Sequence, residues 1–141
     1  MIPIAMARDA NRWTVLYDAD CGFCRWSLAQ LLALDRQVRL RPLELGSPEA
    51  DELLGDLSPA ERAGSWHLVS PDGRRWSAGA AAPSLLELLP AGRLPAAALA
   101  AAPRLTERTY RWVAEHRSAL SKLIPDCAKR RGDRRIAARR K

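Results

Sequence analysis

At 141 residues, 48% hydrophobic but only 6% aromatic, the chain is long enough for one domain whose core needs no staples, and short for two. Its net charge of +7 is confined to one end, because residues 129–141 hold eight basic side chains and one acid; the remainder sums to zero and offers no basic face to nucleic acid. Pro90, Arg93, Pro95, Pro103 and Arg104 interrupt the alanine-rich region, so no apolar run approaches the ~20 residues of a bilayer span and a membrane-spanning protein is excluded.

Residues 1–11 have no basic leader followed by an apolar run. They read as a flexible N-terminus without a signal peptide, and a cytoplasmic address follows. Residues 12–17 (RWTVLY) are short and rich in β-branched and aromatic side chains, the composition of a buried strand. Asp18, Ala19 and Asp20 break that pattern. Over residues 22–34, apolar side chains recur from Phe23 and Trp26 to Leu34, which predicts a helix with a broad buried face and both Cys21 and Cys24 at its first turn. Residues 38–43 alternate as a half-exposed strand. Ser47-Pro48-Glu49 and Ser58-Pro59-Ala60-Glu61 each place a capping serine before proline with acids in the first turn, which starts two short helices.

Residues 66–70 and 74–77 flank Pro71-Asp72-Gly73 as a hairpin. Residues 80–89 read as a helix closed by Pro90 and Gly92; a short alanine-rich helix follows, then a long one over 105–123 that ends before Pro125. Residues 125–141 are basic and poor in apolar side chains, so they read as a disordered tail. The domain thus spans residues 12–124, an α/β fold in three layers with the order β-α-β-α-β-β-α and a C-terminal helical extension. The first crossover makes its two strands parallel, and the hairpin adds antiparallel strands to the same sheet.

Three cysteines, two of them spaced C-x-x-C, are too few for a disulfide framework; in a reducing compartment such a pair is catalytic or metal-binding. After a strand and at the start of a helix, Cys21 meets free backbone N–H groups and the positive end of the macrodipole, which favour a thiolate. Cys24 lies one turn on, within disulfide reach, so the pair reads as an attacking and a resolving thiol. Half a zinc site is the alternative, but its remaining candidates, Cys127, His67 and His116, are scattered, and no metal or cofactor is expected. Two inert buried thiols are a further alternative.

Asp18 opposes a nearby thiolate by its charge, or relays a proton to or from Cys24; Asp20 is a candidate helix cap. Arg25 works the other way, a cation beside the pair. Gly22 and Phe23 offer small bulk and an apolar contact to a substrate. Trp66 is a substrate platform or a packing residue, and His67 an acid/base beside the sulfurs or a structural strand residue. Cys127 reads as a free surface thiol.

The run Tyr17-Asp18-Ala19-Asp20-Cys21-Gly22-Phe23-Cys24 resembles the D-x-x-C-x-x-C signature of the DCC family of thiol-disulfide oxidoreductases, and the element order resembles the thioredoxin-like fold. Further matches are His67-Leu68-Val69 with Asp72-Gly73, then Gly79, then Tyr110-Arg111 with Arg117, so the likeness covers about residues 12 to 121. It implies a thioredoxin-like domain with Asp18, Cys21 and Cys24 as signature positions and Cys21 and Cys24 as the redox pair. Ala19 replaces a common glycine, Gly22 a common proline, and no proline stands near Ser65 and Trp66 where thioredoxins hold a substrate backbone. The implied partners are protein or small-molecule thiols and disulfides and a cellular thiol reductant; the charge of the tail, which lies outside the resemblance, adds weak non-specific anion or nucleic-acid contact. The competing reading is a non-catalytic thioredoxin-like binding module that uses that tail.

Overall fold

The protein is described here by a computed structural model covering residues 11–63 and 65–140. The expected flexible N-terminus, Asn11 apart, and Lys141 lie outside the described residues. In chain order the elements are β1 (Trp13–Tyr17), α1 (Gly22–Leu34), β2 (Leu40–Glu44), α2 (Pro48–Leu53), α3 (Pro59–Ala63), β3 (His67–Val69) and β4 (Arg75–Ser77). A 3-10 turn (Ala78–Ala80) leads into α4 (Ala81–Glu87), α5 (Arg93–Ala101), α6 (Pro103–Glu115), α7 (Arg117–Lys122) and α8 (Asp126–Arg140).

The sheet runs β2-β1-β3-β4, with β1 and β2 parallel and the other two pairings antiparallel, the arrangement expected of a thioredoxin-like α/β fold. Pro42 is tolerated within β2 because that strand is an edge and carries a ladder on one side only. Ser47 caps α2 through the Ala50 N–H, and Ser58 and Glu61 form a reciprocal capping box at α3. Gly73, at φ +91°, takes the left-handed position in the hairpin turn between β3 and β4.

Strand alternation sorts the core into two clusters. Val15, Tyr17 and Leu68 face α1, α4 and α8, where they pack with Leu28, Leu32, Leu85 and Ile136. Leu16 and Val69 face the other way, onto Ala50 and Leu54 at α2. The sheet is therefore covered on both faces, which makes three layers.

Two expectations need correction. The single helix over 105–123 is two helices, α6 and α7, separated at His116, whose N–H is shared between the Trp112 and Val113 carbonyls. The stretch expected to be a disordered tail holds the 15-residue helix α8, laid parallel to α1 along its whole length. Lys129 meets Gly22, Asp133 pairs with Arg25, Gly132 abuts Ala29, and Arg139 reaches Leu32 and Asp35. Average composition misled because the few residues that face α1, Gly132, Ile136 and Arg139, follow helical spacing, while Arg130, Arg131, Arg134 and Arg135 stay exposed.

Candidate active site

β1 delivers the chain to one end of the sheet, and Asp18 to Asp20 turn it into α1. The Oδ1 atom of Asp18 accepts the Asp20 N–H at 2.9 Å and closes that turn. The helix cap expected of Asp20 is supplied by Cys21 instead, whose Sγ accepts the Cys24 N–H at 3.2 Å. A sulfur in the capping position takes up one of the N–H groups that a helix start leaves without a partner. Both thiols are free and partly exposed.

Cys24 sits one turn on. Burial pushes its thiol up to about 12, helped by interaction with the Cys21 thiol and by the charge of Asp18; Arg117 pulls the other way. Cys24 also lines a cavity of about 270 Å³ between α1 and the α6–α7 pair. Its walls are mostly apolar, with Phe23, Leu28 and Leu31 from α1 on one side and Trp66, Val113 and Ala114 among those opposite. Its polar members include Asp18, Ser27, Ser65, Tyr110 and Arg117, and Arg117 Nη1 stands 3.9 Å from Asp18 Oδ2. The Tyr110 hydroxyl accepts the Trp66 N–H at 3.1 Å, and burial raises its phenol above the ordinary value.

Of the candidate site residues, Cys24, Asp18, Phe23 and Trp66 line the cavity, and Cys21 is joined to that wall through the Cys24 N–H. Gly22 is elsewhere, against the C-terminal helices: a Cβ there would lie 2.8 Å from Ser121 Oγ and 3.6 Å from Lys129 Nζ, so that position is occupied by the protein itself. His67 does not reach the sulfurs. It alternates with Trp66 and Leu68, which point toward α1, and so faces the opposite side of the sheet with Val69. There its Nδ1 is 2.6 Å from Ser77 Oγ and its Nε2 is 3.1 Å from the Arg62 carbonyl, and burial lowers its pKa. Arg25 turns to the Ala19 carbonyl and to Asp133.

Tyr110 and Arg117, which fall on the long helix expected over 105–123, line the cavity beside Cys24. Tyr110, Val113 and Ala114 lie at i, i+3 and i+4 on one face of α6, and Arg117 extends that row from the start of α7. That periodicity was visible in the sequence; what it faced was not.

Among the described residues no group of three or more His, Cys, Asp or Glu side chains is placed to hold a metal ion, and no helix is long and apolar enough to cross a membrane. A family model described as DCC1-like thiol-disulfide oxidoreductase matches residues 15–123. No curated protein and no solved structure matches the chain.

Proposed function

The chain belongs to the DCC1-like thiol-disulfide oxidoreductase family, and from that premise we propose that it exchanges disulfides through the Cys21 and Cys24 dithiol, with Cys21 attacking and Cys24 resolving. The observation that carries this reading is the asymmetry of the two sulfurs. Cys21 caps α1 and accepts a backbone N–H, an arrangement suited to a sulfur that bears negative charge. Cys24 is held protonated by burial, with its pKa near 12, until a mixed disulfide calls for it.

In the first step the Cys21 thiolate attacks a substrate sulfur, the substrate's S–S bond breaks and one thiolate leaves. In the second, Cys24 gives up its proton and attacks Cys21 Sγ. The Cys21–Cys24 disulfide forms and the second substrate thiol departs. Asp18, in the cavity wall with Cys24, is the group we assign to take that proton, and Arg117 holds it in place. A thiol reductant then restores the dithiol, as a reducing compartment such as the cytoplasm would supply.

Cys21→Ser should abolish turnover of a model disulfide in a thiol-coupled assay, whereas Cys24→Ser should accumulate mixed disulfides. If neither substitution changes turnover or trapping, the reading fails.

A further inference from the structure

We propose that the cavity beside Cys24 receives the organic body of the substrate, and that the substrates are compact, uncharged, apolar disulfides rather than oxidised glutathione. This rests on the disulfide-exchange reading above and adds to it the chemical class exchanged.

Size is the first ground. About 270 Å³ falls just below the usual range for drug-sized ligands, so the occupant is small. The second is wall chemistry: the lining is mostly apolar, Phe23, Leu28, Leu31, Trp66, Val113 and Ala114 among it, and the few hydroxyls, such as those of Ser27 and Ser65, replace only a small part of the water that a polar body would surrender on entry. Charge is the third. Asp18 and Arg117 contribute one negative and one positive group facing each other, which leaves no counter-ion for the carboxylates of glutathione. Cys24 lies in the same wall, and its N–H donates to Cys21 Sγ, so an occupant sits next to the residue that holds the attacking sulfur.

For a disulfide R–S–S–R the balance is simple. Attack by the Cys21 thiolate forms Cys21–S–S–R and expels RS⁻, which takes up a proton. Attack by the deprotonated Cys24 on Cys21 Sγ forms the internal disulfide and expels the second RS⁻, also protonated. The protein dithiol loses two electrons and two protons, and the substrate gains both.

The test mixes the reduced protein with dipropyl disulfide, bis(2-hydroxyethyl) disulfide or oxidised glutathione and follows oxidation of the Cys21 and Cys24 pair by alkylation and mass measurement. Each rate is divided by that of the same disulfide with free cysteine, which removes intrinsic reactivity. Dipropyl disulfide should exceed bis(2-hydroxyethyl) disulfide, its equal in size and charge, by about tenfold, or ~1.4 kcal/mol, with glutathione slower still. Ala114→Phe, which fills the cavity, should bring the first ratio close to one; Ala114→Leu serves if the larger side chain prevents folding. Equal normalised rates in the native protein, or a ratio unmoved by the filled cavity, overturn the proposal. If no disulfide oxidises the pair, the exchange reading itself is what fails.

Discussion

Arg139, near the end of the last helix, places Nη1 2.6 Å from the Asp35 carboxylate, which lies just past the end of α1 and is almost fully buried. The same guanidinium donates to the Leu32 and Asp35 carbonyls, so it serves α1 as a C-terminal cap from another helix. Asp35 in turn accepts the Arg39 and Leu40 N–H groups at the entry to β2. Removing Arg139 leaves the buried Asp35 carboxylate with its two backbone N–H donors but without a counter-charge. Arg139→Ala should therefore destabilise the fold by about 3 kcal/mol or more in urea denaturation. A change within ~0.5 kcal/mol would show that α8 is dispensable to the fold.

The proton on Cys24 sets the pH dependence of resolution. Burial raises that thiol, so with Asp18 as proton acceptor the rate of mixed-disulfide resolution should vary little through the neutral range, whereas in Asp18→Asn it should climb about tenfold per pH unit with the thiolate fraction. Arg117→Ala removes the positive charge that favours that thiolate and should slow resolution, with partial rescue by Arg117→Lys. Alkylation of Cys21, which precedes resolution, separates this from general damage to the site.

Asp18→Asn distinguishes two roles by sign. As a charge alone, Asp18 raises the Cys24 pKa, so its neutralisation would accelerate resolution. As the proton acceptor, its loss should slow resolution by about a hundredfold, the lower range for a positioned base. We expect slowing, measured as a longer-lived mixed disulfide at constant pH.

His67 titrates in the fold rather than in the chemistry. Burial lowers its pKa from the usual 6.5, so the unfolded chain binds its proton first as pH falls. Its contribution to stability is complete above 6.5 and is lost as pH drops through the lowered folded value. Between about pH 7.5 and 5.5 the melting temperature of the native protein should fall more steeply than that of His67→Gln. Parallel slopes would contradict the assignment.

Gly79 admits α6 to the sheet edge. A Cβ there would lie 2.9 Å from the Glu107 Cα, and its N–H donates to Glu107 Oε2 at 3.0 Å. Gly79→Ala should cost about 1–3 kcal/mol and, by pushing α6 outward, weaken the wall that carries Tyr110 and Arg117. Thermal unfolding and trapping of mixed disulfides read the two effects separately.

The legible parts of this protein were those fixed by local rules. Residues 22–34 announce a helix by periodicity, Ser47 and Ser58 announce two more by capping, and the C-x-x-C spacing announces the dithiol before any contact is known. What escaped depended on which surfaces meet. His67 sits beside Trp66 in sequence, yet strand alternation sends the two side chains to opposite faces. The tail looked too charged to fold, because composition does not reveal that one arginine finds a buried aspartate more than a hundred residues earlier.

The parallel union of α8 with α1 has a kinetic side. Leu32 and Arg139 are separated by 107 residues, so their contact closes one of the longest loops available to the chain and contributes nothing until the intervening sheet has brought the ends together. Docking of α8 should therefore follow formation of the sheet, so that α1 would gain its last neighbour after the turn that carries Cys21 and Cys24 has formed, leaving an interval with the cysteine pair assembled on an unfinished scaffold.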